Sequence, residues 1–259
     1  MEHQTLTSLN GWGEMLVAHE LAHQWWGDMI TCDSFHHIWL NEGFATYSES
    51  LWREWAYGKE DYLSYQKGKF YYGPGTIYVE DPYSEDIFNY NLSYRKASCV
   101  LHMLRHVVGD STFFEILYAY YSDPERQYDT ATTEQFREIC ESISGMNLET
   151  FFQQWIYDQG YPDYRFYYSW KQLATGQYEV YGLIKQVQTL GPIFEMPLDI
   201  TVTTSYGDTT LVLWGDEEEE PFSFIVNHEP LDVELDKEGW VLALSLIHIS
   251  EPTRPLYIS

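Results

Sequence analysis

At Tyr161-Pro162 the spacing of the apolar residues changes period, and no single layer of secondary structure satisfies both sides of that change. Before it, from about residue 13 to 160, apolar side chains recur three and four apart, the repeat of a helix with one buried face. The segments Glu14 to Trp26, Glu42 to Trp55, Lys96 to Val108, Ser111 to Tyr121, Thr133 to Ser144 and Leu148 to Tyr157 are predicted helices. Asp110, Thr132 with Gln135 three residues on, and Asn147 suit N-caps, while Gly109, Gly145 and Gly160 suit helix ends. After the change, Tyr178 to Gln186, Leu198 to Ser205, Thr209 to Trp214, Phe222 to Val226 and Leu231 to Leu235 carry the alternating pattern of strands, with Tyr206-Gly207-Asp208 as a hairpin turn. The fold class is therefore α+β in two domains: a mainly helical one over residues 1–164 and a small β-sandwich over 165–243. The acidic run Asp216 to Glu220 fits a solvated loop between strands.

A chain of 259 residues suffices for one large or two ordinary domains. Hydrophobic content of 44% with 18% aromatics excludes a disordered chain. The 40 acidic against 14 basic side chains, a net charge of −26, repel phosphate backbones and anionic membrane surfaces, so nucleic acid is not an expected partner. No run approaches the roughly 18 apolar residues of a transmembrane segment. Cys32, Cys99 and Cys140 are odd in number and widely spaced, which predicts inert buried thiols in place of a disulfide framework.

The chemistry is concentrated near the start. Residues 19–23 read His-Glu-Leu-Ala-His within an apolar helical segment. At about 3.6 residues per turn, His19 and His23 leave one face a turn apart, where two imidazoles can hold one tetrahedral zinc ion. Glu20 lies about 100° around the helix. That offset places it beside an open coordination position, where a carboxylate can take a proton from water. Chance yields the five-residue pattern in roughly one chain per hundred of this length, so a third ligand has to decide the matter. Eighteen residues separate His23 from Glu42, which lies in Trp39-Leu40-Asn41-Glu42-Gly43-Phe44-Ala45 and opens a second predicted helix. A carboxylate there complements the helix dipole and can also bind the metal. Glu49, seven residues further and on the same face, suits either a hydrogen bond to the outer nitrogen of a metal-bound histidine or a solvent-facing position. His102 and His106 repeat the four-residue spacing, but no pattern supplies an acidic third ligand, so they are expected at surface or partly buried positions.

Residues 19–28, His-Glu-Leu-Ala-His-Gln-Trp-Trp-Gly-Asp, together with the Glu42 segment, resemble the aminopeptidase N family of zinc peptidases. These are gluzincins with the pattern HExxH, 18 residues, then Glu in a WLNEGFA context. The resemblance runs from Met1 to about Ala243 and implies a thermolysin-like catalytic domain, one zinc ion per chain and peptide substrates with a free N-terminus. Tyr94-Arg95-Lys96-Ala97-Ser98 is similar to the family's Tyr-x-Lys-Gly/Ala segment, which implies that the Tyr94 hydroxyl stabilises the oxyanion. Met1-Glu2-His3 is similar to the end of the Gly-x-Met-Glu-Asn exopeptidase motif, which implies that Glu2 anchors the substrate amine. That motif lacks its first two residues here, His3 stands in place of Asn, and the gap from Glu2 to His19 is short for the family.

The resemblance also bears on the ends. Family members carry a large β-domain before this point, so Met1 is expected to be an internal methionine. The stretch from Leu244 onward, including Leu244 to Arg254, resembles a translated transposase end and sequencing adaptor, so residues 244–259 are read as an adaptor-derived tail and excluded from the fold reasoning, the alternative being an ordinary terminal strand. The acidic balance is compatible with an exported bacterial enzyme. Two other readings stay open: a gluzincin with epoxide-hydrolase activity, against which the β-type region after Tyr161 argues, and an inactive zinc-binding fragment.

Overall fold

The computed structural model describes residues 5–249, and its backbone divides into two compact units with the boundary between Gly160 and Tyr161. The first contains α1 (Glu14–Ala22), β1 (Ile30–Cys32), a 3₁₀ turn (Phe35–His37), α2 (Trp39–Tyr57) and α3 (Lys59–Lys67). A π-helical segment, Tyr90–Lys96, then runs into α4 (Ala97–Val108), followed by α5 (Asp110–Ser122), β2 (Asp129–Ala131), α6 (Thr133–Ser144) and α7 (Glu149–Phe152) with a second π-helical stretch, Gln153–Tyr157.

Helix α2 is the axis of this unit. Every residue from Trp39 to Tyr47 is buried, because α1, α3 and α4 all pack on it. The approach of α2 to α4 depends on Gly43, where a Cβ would stand 2.6 Å from the Cβ of Ala97. Around its first turns lies an aromatic core in which Phe136 meets Phe44 at 5.1 Å and Tyr120 at 4.9 Å between ring centroids. Rings of this size bury the largest apolar areas a side chain can offer, so this cluster fixes the start of α2.

Local signals set most of the ends. Thr132 and Gln135 form a reciprocal capping box at α6, and Gly145 closes that helix in the left-handed conformation. Asp110 lies inside α5, with Gly109 at the cap. Asn147 Oδ1 accepts from Glu149 N at 2.9 Å although Leu148 holds the cap position. Helix α1 is shorter than its apolar pattern predicts, ending at Ala22 and not Trp26. Gln24 and Trp25 donate to carbonyls three residues back, and Gly27, at φ 128°, turns the chain so that its N–H reaches Ile30 O at 2.8 Å. Two features have no counterpart in the periodicity. Helix α3 buries only Tyr62 and Gln66, too few apolar groups to register as a stripe. Strands β1 and β2 pair in parallel over three residues each, Ile30 opposite Asp129.

The second unit holds β3 (Asp163–Gln172), β4 (Tyr178–Gln186), β5 (Met196–Thr204), β6 (Gly207–Gly215), β7 (Glu219–Val226), β8 (Pro230–Leu235) and β9 (Leu244–Ile249). They form two sheets, ordered β7-β4-β3-β9 and β6-β5-β8. Alternate residues such as Tyr164, Phe166, Val180, Ile184, Ile200, Val202 and Val233 are buried, and Tyr168 of one sheet donates its hydroxyl to Asp232 of the other. The hairpin between β5 and β6 turns on Ser205 and Tyr206, since Thr204 pairs with Gly207.

Two expectations are corrected by the strands. The β-unit begins at Tyr161, with β3 starting at Asp163, and not at residue 165. The acidic run is only partly a loop, because Glu219 and Glu220 belong to β7, where Glu219 pairs with Lys185 across the sheet. In the stretch from Leu244, residues Leu244–Ile249 lie parallel to β3, from Asp163 opposite Leu244 to Tyr168 opposite Ile249. Strand β3 is paired on one side by β4, and the N–H and C=O groups of its other edge accept an extended backbone of any origin. Residues 250–259 lie outside the described residues.

Candidate metal centre

Helix α1 carries His19, and His23 follows one turn on at its C-cap, with the two Nε2 atoms 3.1 Å from each other. Glu42, in the first turn of α2, brings its Oε2 to 3.4 Å from both. Burial of α2 against α1 is what closes this gap of nineteen positions in sequence. Among the described residues these three form the one group of His, Cys, Asp or Glu able to hold a metal ion, their ligand atoms all within 4.8 Å of one another.

The outer nitrogens define the protonation. His19 Nδ1 lies 2.9 Å from Glu49 Oε1, and His23 Nδ1 lies 2.9 Å from Trp26 O. An ionised carboxylate and a backbone carbonyl only accept, so each Nδ1 carries a proton and Nε2 is the nitrogen that faces Glu42. Two Nε2 atoms and a carboxylate oxygen then face one point, an arrangement that calls for positive charge among them, as a metal ion or as ring protons. The donor set thus fits a metal ion. The titrations express the same fact. Burial alone would lower His19, yet Glu42 and Glu49 outweigh it and hold the imidazole up at about 9. Burial would raise Glu42, yet the two histidines hold it down at about 2. His23 is raised in the same way, its burial overcome chiefly by Glu42.

Glu49 is a hub and not a solvent-facing acid. Its second oxygen accepts from the Tyr65 hydroxyl at 2.6 Å and the Lys69 ammonium at 2.7 Å. Burial pushes this carboxyl up, but the hydrogen bond from His19 and the Lys69 charge bring it below its ordinary value. Neither Tyr65 nor Lys69 carries a motif. Their positions on and just after the polar helix α3 hide them from any periodic pattern.

Glu20 lines the same cavity, of about 840 Å³, as His19, His23, Glu42, Glu49 and Tyr94. Tyr94 sits on the π-helical segment before α4, and its ring stacks on His19 with centroids 6.0 Å apart and planes inclined by 16°. Asn89 anchors that segment by accepting from Asn91 N and Leu92 N. Single-turn π geometry of this kind redirects side chains along a helix, which here brings Tyr94 to the cavity while Lys96 turns into the core. His36, His37 and His102 lie elsewhere. His36 Nδ1 meets Val79 O at 2.6 Å, and buried His37 Nδ1 meets Thr133 Oγ1 at 2.9 Å. His102 is fully buried, contrary to the expected surface or partial burial, and its Nδ1 pairs with the Tyr62 hydroxyl at 2.6 Å inside the core. Cys32, Cys99 and Cys140 are buried and form no disulfide. Glu2 lies outside the described residues. No helix among the described residues is long and apolar enough to cross a membrane.

These features define a candidate metal site, three ligand atoms that fit one ion, open to a cleft that also holds an acidic and a phenolic side chain. The Peptidase family M1 domain matches residues 3–155, and the chain belongs to that family. Aminopeptidase M1-A of Oryza sativa subsp. japonica is 35% identical over 158 residues, covering 57% of this chain and 18% of that protein. Leucyl aminopeptidase of Saccharolobus solfataricus is 27% identical over 236 residues, 87% of this chain and 29% of that one. Aminopeptidase N of Lactococcus lactis subsp. lactis is 28% identical over 193 residues, 67% and 22% of the two chains. The chain thus spans less than a third of the length of these relatives. In fold it is similar to the crystal structure of Legionella pneumophila aminopeptidase A in complex with aspartic acid, with a TM-score of 0.73, 22% identity, and coverage of 91% of this chain and 27% of that one.

Proposed function

We propose that the chain is the catalytic part of a zinc-dependent aminopeptidase that hydrolyses the N-terminal peptide bond of peptides. The observation that carries this is the convergence of His19, His23 and Glu42 in one cavity with Glu20 and Tyr94, in a chain of the M1 family. Two imidazole nitrogens and one carboxylate oxygen are ligands suited to zinc with a coordination position left open, so His19, His23 and Glu42 hold one Zn²⁺ per chain. A zinc ion there supplies a Lewis acid that polarises the scissile carbonyl and lowers the pKa of water.

The remaining steps belong to the protein. The Glu20 carboxylate accepts a proton from the attacking water and delivers it to the leaving amine. The Tyr94 hydroxyl donates a hydrogen bond to the oxyanion without adding a competing charge. Glu49 fixes the His19 ring by accepting its Nδ1 proton. Glu2 pairs with the substrate ammonium and limits cleavage to the first residue. The helical unit serves as a thermolysin-like catalytic domain, and the names of the relatives support aminopeptidase over other M1 chemistry.

The deciding assay measures release of chromophore from an aminoacyl p-nitroanilide, with and without a zinc chelator and with an N-blocked substrate beside it. Turnover that chelator abolishes, zinc restores and N-blocking prevents is the expected result. Chelator-insensitive turnover sinks the metal mechanism, and equal cleavage of the blocked substrate sinks the exopeptidase assignment.

A further inference from the structure

Residues 68–89 contain neither helix nor strand, yet Lys69, near the head of this stretch, reaches the Glu49 carboxylate at 2.7 Å. Backbone bonds tie the turn back to α3, with the Gly68, Lys69 and Phe70 N–H groups donating to the Ser64, Gln66 and Lys67 carbonyls at 3.2, 2.9 and 3.1 Å. A side chain from another element grips the same turn from outside. Arg95 Nη2 donates to Gly68 O and to Phe70 O, each at 3.0 Å, the two carbonyls that flank Lys69. Its Nη1 donates to Asn91 Oδ1 at 3.0 Å, one turn back along its own π-helical segment. The planar guanidinium therefore spans two elements, the segment that carries Tyr94 and the turn that carries Lys69.

We infer that Arg95 is a positioning residue for the metal centre: by clamping the carbonyls on either side of Lys69 it fixes the Lys69–Glu49–His19 chain. Each link is a short polar contact between named atoms, Arg95 to the Gly68 and Phe70 carbonyls, Lys69 Nζ to Glu49 Oε2, and Glu49 Oε1 to His19 Nδ1. The middle of the chain is shielded, with only 10% and 13% of the Lys69 and Glu49 side chains exposed, so solvent does not readily substitute for a lost link. Tyr65 supports the same carboxylate oxygen and lies under the Lys69 ammonium, 4.5 Å from ring centroid to Nζ. A lysine at position 95 would keep the charge but could not replace the two-armed fork.

The inference rests on His19, His23 and Glu42 forming the zinc site, and its test reads zinc affinity, not turnover. Zinc dissociation constants are measured by competition with a chromophoric chelator for the wild-type chain, Arg95→Met, Arg95→Lys, Lys69→Met and the Arg95→Met/Lys69→Met double variant. Thermal unfolding in chelator reports on folding separately. Loss of a group supporting the ligand shell is expected to weaken zinc about tenfold in Arg95→Met and in Lys69→Met, and several-fold in Arg95→Lys. Because the two residues act through one chain, the double variant is expected to lose about tenfold as well, and not about a hundredfold.

Unchanged zinc affinity in Arg95→Met with a lowered melting temperature would assign Arg95 a purely structural role and overturn the inference. Wild-type affinity in Arg95→Lys, or additive losses in the double variant, would overturn it too. If Arg95→Met does not fold, Arg95→Lys decides the question by the same criterion. A wild-type chain that takes up no zinc overturns the metal centre along with it.

Discussion

His19 stands between two carboxylates of one helix: its Nδ1 lies 2.9 Å from Glu49 Oε1 and its Nε2 lies 3.4 Å from Glu42 Oε2. Glu42 and Glu49 are two turns apart on α2, so both can address the same ring from its two ends. Without metal this pair keeps the imidazole charged, which makes the proton a direct competitor of zinc.

Zinc affinity is therefore expected to rise with pH. The folded, metal-free ring titrates at about 9, because Glu42 and Glu49 outweigh the effect of burial. Zinc needs the neutral ring, so below that value each binding event displaces a proton. The dissociation constant falls about tenfold per pH unit for each proton displaced, and levels off above the ring's titration point. Chelator competition between pH 6 and 10, corrected for protonation of the chelator, reads this slope directly. A flat profile would mean that the ring is neutral in the metal-free protein.

Glu20→Gln separates proton transfer from metal binding. Glu20 lines the cavity but is not among the three converging ligands, so its amide is expected to lower kcat by about a hundred- to ten-thousand-fold while zinc content stays at one per chain. Metal analysis of the purified variant beside its turnover makes the check. Loss of zinc together with activity would move Glu20 into the coordination shell.

Tyr94→Phe keeps the ring against His19 and removes only the hydroxyl. A donor that acts on the oxyanion contributes in the transition state and not in the ground state, so kcat is expected to drop by about a hundred- to a thousandfold with KM nearly unchanged. Steady-state kinetics on the same p-nitroanilide separate the two parameters. A rise in KM alone would make Tyr94 a substrate-packing residue.

Gly43→Ala tests the approach of α2 to α4. Alanine is the better helix former by about 1 kcal/mol. Against this, its Cβ would meet that of Ala97 at 2.6 Å, and both atoms are fixed to helix backbones that cannot rotate away. Overpacking of this kind costs about 1–3 kcal/mol, and the rigid contact favours the upper end, so a net loss of about 1–2 kcal/mol is expected. Thermal unfolding of the metal-free protein measures it. Unchanged or increased stability would show that the helices separate at little cost.

The elements that the sequence reveals most clearly are those with dense local signals. Helix α6 matches its predicted span, residue for residue, because an amphipathic stripe, a capping box at Thr132 and Gln135 and a left-handed Gly145 all act within a few positions. Strand β4 likewise spans Tyr178–Gln186 as its alternation indicates. Helix α3 escapes because its polar residues form no stripe, and β1 pairs with β2 across about a hundred residues, a partnership no window contains. The end of α1 is misplaced because Trp25 and Trp26 continue the apolar pattern while Gly27 bends the backbone away.

For the metal centre the division follows the same line. Local spacing is enough to pick out His19, Glu20 and His23, since four residues of helix put two imidazoles on one face, and to single out Glu42 and Glu49 on a second helix. It takes the packed chain to bring the two helices together with three ligand atoms within 4.8 Å, and to close Tyr65 and Lys69 on Glu49 with Arg95 holding the turn behind them. The difference is one of range. Helix geometry propagates side-chain direction over a turn or two, whereas the packing of α1, α2 and α3 and the path of an irregular segment depend on contacts between residues tens of positions apart.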